Sequence, residues 1–148
     1  MAIYPILPLD RLGLGVQGYL DRLRQVIIDV LADFSVLATA GPDGAAVHVG
    51  ERPVAQLGVA VRDWVTWYGA VFNVYPDLEP LRRVRTAPGA PPMTSLERER
   101  RGPLRAALVR ERFLEHFTAR FGFGRLSLFF HHPALGRRAP SDAVAASL

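Results

Sequence analysis

Residues 50–74, GERPVAQLGVAVRDWVTWYGAVFNV, constrain the fold more than any other part of the chain. Two runs rich in β-branched and aromatic residues, Val54–Val61 and Trp64–Val74, flank the short polar turn Arg62-Asp63. Such runs suit pleated, buried positions, and a brief polar break between them predicts a β-hairpin. A glycine interrupts each arm, Gly58 in the first and Gly69 in the second. Glycine weakens a strand, so inside one it marks a bulge or the close approach of another backbone or a ligand. The hairpin is therefore a candidate floor for a binding site.

The rest of the composition narrows what such a site can do. With 148 residues the chain suits one domain, which buries roughly two-thirds of its surface on folding. An apolar content of 49% excludes a disordered chain. No apolar run approaches the ~20 residues that span a bilayer, and the start MAIYPILPLDR has neither a basic lead nor a small-residue cleavage site. The expectation is a cytoplasmic protein without a membrane partner. Net charge is +4, yet every basic residue is an arginine. With abundant Ala, Gly and Pro, that usage reads as the base composition of the gene, and no run of aromatic and basic residues forms a nucleic-acid platform. Cysteine is absent too, which excludes disulfides, thiolate metal sites and a cysteine nucleophile.

Taken in order, Ile3–Leu7 suits a strand. Gly13-x-Gly15-x-x-Gly18 formally matches a dinucleotide fingerprint. A helical face of Val16, Tyr19, Leu20, Leu23, Val26, Ile27, Val30, Leu31 and Phe34 already runs through Gly18, and no acidic residue ends the next strand, so a glycine-rich helix entry is the better reading. Val36–Thr39 and Ala46–Val49 read as strands around the turn Gly41-Pro42-Asp43-Gly44, with His48 a surface or edge residue. Asp77 is a possible cap for a short helix, and Arg82, Arg83 and Arg85 form a solvated helix end or a grip for phosphate or an acidic partner. Residues 86–92 are a proline-stiffened loop. Thr94-Ser95-Leu96-Glu97 opens a helix whose charges, to Arg101, face solvent. Pro103 opens the last long helix, with Leu104, Leu108, Leu114, Phe117 and Phe121 on its core face and Gly122 and Gly124 stopping it. Leu126–Phe130 is a final strand. His131 and His132, adjacent in a strand, point to opposite sides and do not make a metal site. From the residues alone the chain is an α/β domain with a mixed or antiparallel sheet.

The central stretch resembles the lipoyl(octanoyl) transferases. The family pattern G-E-R-K-I-A-A-I-G-V-R-V, then V-T-x-H-G-F-A-L-N-V-x-x-D-L, aligns without a gap from Gly50 to Leu78. Tyr4-Pro5-Ile6-Leu7 and Met93-Thr94-Ser95-Leu96 match two further family segments, so the likeness covers residues 3–120. It implies a biotin/lipoate protein ligase-like α+β fold, a mixed β-sheet packed by helices. It implies an enzyme that carries an octanoyl group from acyl carrier protein through a cysteine to a lysine of lipoyl domains, those of 2-oxo acid dehydrogenases or glycine cleavage proteins. No cofactor and no metal are implied.

This chain departs from the pattern where that chemistry resides. The family lysine falls at Pro53, the family histidine at Tyr68, and the family cysteine at Thr86 or Ala87, depending on the side from which one counts. What matches are the positions that line the acyl chain: Gln56, Leu57 and Gly58, then Gly69, Ala70 and Val71. The family's upstream arginine-Gly-Gly and His-Gly-Pro-Gly motifs are not found. The resulting expectation is one octanoyltransferase-like domain over residues 1–138 lacking its N-terminal third, a frayed tail over 139–148, and catalytic degeneracy. The alternative is a non-catalytic module that binds an acyl carrier or a lipoyl domain, its acidic partner meeting Arg82, Arg83 and Arg85. Acyl transfer by an altered mechanism is a third reading.

Overall fold

The computed structural model describes residues 1–81, 89 and 91–128. Its elements are β1 (Ala2–Ile3), α1 (Val16–Asp33), β2 (Thr39–Ala40), β3 (Ala46–Val49), β4 (Arg52–Arg62), β5 (Val65–Phe72), α2 (Leu78–Leu81), α3 (Leu96–Arg100) and α4 (Ala106–Phe121). β4 and β5 are the two arms of the expected hairpin, paired antiparallel from Ala55↔Phe72 to Arg62↔Val65. Its turn is one residue later than the polar break suggests. Asp63 and Trp64 are the connecting residues, with φ of 49° and 62°, the positive pair that a twisted two-residue hairpin demands. Aspartate tolerates that region; tryptophan rarely does, and its ring is left exposed.

Around the hairpin the sheet runs β1-β5-β4-β3-β2. Every pairing among the described residues is antiparallel. Of the two arrangements left open by the residues, mixed or antiparallel, the described sheet is the second. The α+β class stands. The segment from Met1 to Leu9 runs alongside β5 for its whole length, from Phe72 N–H donating to Met1 O at 2.9 Å to Leu9 N–H donating to Trp64 O at 2.8 Å. Regular strand is confined to Ala2–Ile3 rather than Ile3–Leu7, because Pro5 and Pro8 cannot donate to a ladder. Thr66 fills the gap: its Oγ1 accepts from Leu7 N–H at 2.9 Å and donates to Pro5 O at 2.7 Å.

α1 presents Tyr19, Leu23, Val26, Ile27, Val30 and Leu31 to β3 and β4, all buried at helical spacing. Each large aliphatic side chain so buried contributes about 1.5–3 kcal/mol at most. Gly15 is the residue before the helix and Gly18 lies within it, as the glycine-rich entry requires. α4 packs on α1 rather than on the sheet. Its buried line is Val109, Phe113 and Phe121, with Phe117 between them, one residue every turn. Phe117 stands 5.6 Å from Phe113 and 4.5 Å from Phe121, and Tyr19 of α1 meets Phe121 at 5.9 Å. Leu108 is instead exposed. Ion pairs rim this contact: Arg120 with Asp29, and His116 with Asp33 at 2.9 Å.

Several local expectations hold. Asp77 Oδ1 accepts from Glu79 N–H, Ser95 Oγ accepts from Arg98 N–H, and Gly122, with φ of 74°, ends α4. Others do not. Pro103 precedes α4 by three residues instead of opening it. Leu126–Leu128 is not strand and joins none of the described strands. Glu99 does not face solvent with the rest of its charge run, and it pairs with Arg52. Arg82, Arg83, Arg85, Thr86, Ala87, Phe129, Phe130, His131, His132 and the tail 139–148 lie outside the described residues.

Candidate functional site

The six positions singled out as a substrate floor are three cross-strand pairs of the hairpin: Gln56↔Val71, Leu57↔Ala70 and Gly58↔Gly69. Alternation divides them. Leu57 and Ala70 are buried in the core cluster with α1, so only their backbone can meet a ligand. Gln56, Gly58 and Val71 are more open, Val71 being half exposed.

The two glycines have different reasons. A Cβ on Gly69 would stand 2.3 Å from Ile3 O and 2.7 Å from Pro5 Cδ. Its missing side chain is therefore the slot in which the N-terminal segment lies. A Cβ on Gly58 would meet nothing within 4 Å. Of the two, Gly58 alone leaves open backbone on the sheet.

Where β4 begins and β5 ends, Gln56 and Val71 join Pro53, Ala55, Asn73 and Met93 around a cavity of ≈ 270 Å³. Its lining is almost wholly apolar. Pro53, the expected position of the family lysine, is buried in that wall, and its ring offers neither a charge nor a donor. Gln56 and Asn73 are its polar members, and the Asn73 side chain is engaged, donating through Nδ2 to Thr94 O at 3.1 Å. A wider cleft of ≈ 560 Å³ adjoins at Val71 and Asn73 and reaches Met1, Tyr75, Ala106 and Arg110.

Tyr68, the expected position of the family histidine, lines neither space. Its φ is 60°, a conformation that costs a bulky residue about 1 kcal/mol or more. Its ring is 67% exposed and packs edge-on against Tyr4 at 6.5 Å. No group of three His, Asp or Glu side chains that could hold a metal comes together among the described residues. The smaller cavity thus offers an apolar slot with no ionisable side chain in its lining, and the open backbone of Gly58 lies outside it.

Three residues at this site escape sequence reasoning. Asn73, Met93 and Glu99 stand 20 or more residues from their partners on β4 or on one another. Asn73 follows a β-rich run and Glu99 sits inside a charge run, so neither carries a local signal.

Residues 1–118 match the family model for the lipoyl protein ligase A/B catalytic domain. The chain belongs to this family. Among its relatives are the octanoyltransferase of Stutzerimonas stutzeri, 37% identical over 123 residues, and that of Azotobacter vinelandii, 36% identical over 121 residues. The matches take in 82% and 81% of this chain and 56% of each relative, so the chain spans about half the length of the curated relatives it matches. A crystal structure of lipoate-protein ligase A bound with ATP superposes with a TM-score of 0.60 at 13% identity, over 74% of this chain and 47% of that one. The resemblance to the lipoyl(octanoyl) transferases read from Gly50 to Leu78 is therefore correct at the level of the family, and the α+β fold is the family's.

Proposed function

We propose that this chain is an octanoyltransferase-like protein of lipoate biosynthesis that keeps its family's acyl slot and lacks its transfer chemistry. The observation that carries this reading is Pro53, a buried hydrocarbon ring in the cavity wall where the family has its lysine. An acyl-transferring thiol acts as thiolate, and a neighbouring cation is what makes the thiolate accessible at neutral pH. A chain without cysteine supplies no thiol, and Pro53 puts no cation at the position of the family lysine. A threonine at the nucleophile position needs a base to activate it, and Tyr68 is turned away from the cavity.

The cavity itself suits an alkyl chain. Its volume of ≈ 270 Å³ lies just below the range of about 300–1,000 Å³ typical of drug-sized ligands. The partners in this reading are an octanoyl-acyl carrier protein and the lipoyl domains of 2-oxo acid dehydrogenase or glycine cleavage proteins. No helix among the described residues is long and apolar enough to cross a membrane, and we place the protein in the cytoplasm. We read residues 1–138 as one domain, with 139–148 as a tail.

Incubation with octanoyl-acyl carrier protein and a lipoyl domain, followed by intact-mass measurement of the lipoyl domain, tests the first half. No octanoyl gain is expected; a gain would sink the degenerate assignment. Calorimetric titration with the octanoyl carrier and with the lipoyl domain tests the second. Heat with the acylated carrier, and less with the bare carrier, is expected. Equal heat with both would favour the non-catalytic carrier-binding module, in which the protein surface rather than the acyl slot is read.

A further inference from the structure

Two stretches that line the small cavity are tied together by a polar clasp. Arg52 begins β4 immediately before Pro53, and Thr94 immediately follows Met93. Glu99 on α3 joins them. Arg52 Nη2 lies 2.9 Å from Glu99 Oε1 and 3.0 Å from Oε2, and Thr94 Oγ1 donates to Oε1. The Glu99 side chain is 12% exposed and Thr94 is fully buried. The backbone adds to the clasp: Thr94 N–H donates to Pro53 O at 2.9 Å, and Leu96 N–H donates to Asn73 O at 2.9 Å.

These contacts carry more than local stability. α3 has five residues, too few to stand as a helix alone. Its place is set by the Ser95 cap and by Glu99. Bonds to a charged, largely enclosed carboxylate are short and directional, and leaving such a carboxylate without its cation is strongly unfavourable. The clasp therefore allows one geometry for residues 93–96. The residue it aims is Met93, an unbranched thioether that takes many shapes when unconstrained. Asn73 Nδ2 approaches its sulfur at 3.9 Å.

We propose that Arg52, Glu99 and Thr94 are positioning residues that hold Met93 as the end wall of the cavity, so that the clasp sets which acyl chain length is accepted. This rests on the acyl-slot reading of the preceding section. Substrate length is then governed by a charged group that never touches the substrate.

The test uses the full chain and N-methyl acyl amides from butanoyl to decanoyl, titrated by calorimetry. The wild type is expected to prefer one chain length sharply. Met93→Ala shifts the optimum to longer chains. Glu99→Gln keeps the shape of the side chain but loses its charge, so it flattens the profile and weakens the best ligand by about tenfold, the scale of one charge-assisted bond. Thr94→Val flattens it as well, whereas Thr94→Ser restores the hydroxyl and the selectivity. If the wild type binds no amide, the acyl-slot reading fails and the clasp assignment with it. If the wild type is selective and a folded Glu99→Gln keeps both affinity and profile, the slot stands and the clasp assignment is overturned. Should Glu99→Gln not fold, Met93→Ala decides, and an unmoved optimum overturns the proposal.

Discussion

Gly58 and Gly69 face each other across the hairpin, yet alanine is expected to act oppositely at the two positions. At Gly69 the new methyl would sit 2.3 Å from Ile3 O, a distance no relaxation of a side chain can relieve, because the obstacle is backbone. The N-terminal segment must lift off β5. Ile3, 8% exposed, then loses burial worth about 1.5–3 kcal/mol. The strand bonds of β1 add about 1 kcal/mol each, and the gain from replacing glycine in a strand returns about 0.5–1 kcal/mol. The net is a loss of roughly 2–4 kcal/mol for Gly69→Ala. Gly58→Ala meets nothing within 4 Å, so it keeps only the gain, about 0.5–1 kcal/mol of added stability. Urea denaturation monitored by tryptophan fluorescence reads both midpoints. A Gly69→Ala midpoint equal to wild type, or a Gly58→Ala loss matching that of Gly69→Ala, would refute the assignment of the two glycines.

Two further predictions concern titration in the helical layer. Tyr19 is completely buried, and burial pushes its hydroxyl up to about 12, the Thr66 hydroxyl opposing in part. That Thr66 Oγ1 is already committed to Pro5 and Leu7, which leaves Tyr19 Oη without a hydrogen bond among the described residues. Tyr19→Phe should therefore be neutral or stabilising by up to about 1 kcal/mol at pH 7. The raised value means that the fold favours the protonated phenol, a contribution complete below the unfolded value of 10.0 and lost as pH rises toward about 12; at one unit per 1.36 kcal/mol the loss is roughly 2–3 kcal/mol. Wild type should lose stability over that window while Tyr19→Phe does not; parallel curves in alkaline urea titrations would count against it. For Asp29, burial would raise the carboxyl, but hydrogen bonds from Arg120 and Gln25 outweigh it and hold the group below its usual 3.8. Asp29→Asn should cost about 0.5–1 kcal/mol at pH 7, and the difference from wild type should vanish as pH falls through 3.8 and below, since a lowered carboxyl stabilises only while ionised. A difference that persists at the acid end would mean that the side chain acts by packing instead.

How much of this was legible in the chain depended on distance along it. The hairpin, the face of α1, the Ser95 and Asp77 caps and the Gly122 stop are read from residues within a few positions of one another, and they hold. The face of α4 was harder, because Leu108, about 100° round the helix from Val109, offers a competing apolar face, and only the packing on α1 chooses. The turn at Asp63-Trp64 fell one place late because a tryptophan in left-handed backbone has no compositional cue. The reason for Gly69 lay 66 residues away in Ile3 (69 − 3), and the partner of Glu99 lay 47 residues away in Arg52. Such pairings are decided by tertiary closure, for which a single sequence carries no local pattern. The absence of cysteine and lysine, by contrast, was legible outright, since it needs no geometry.

The alignment of the N-terminal segment along β5 also bears on how the molecule breathes. The hairpin closes over a two-residue turn, whereas Met1 reaches Phe72 across a separation of 71 residues. Closing a loop of that length costs on the order of 4 kcal/mol in chain entropy, against a few hydrogen bonds and the burial of Ile3 and Leu9. The segment should therefore be the last part of the sheet to zip and the first to open, with the amides of Thr66 and Phe72 exchanging ahead of that of Leu57, which is held by Ala45. Met1 and Val71 both border the wider cleft. Opening of this edge is thus also opening of the cleft, and any ligand lodged there would act as a bolt, slowing hydrogen exchange along β5 without touching the helices.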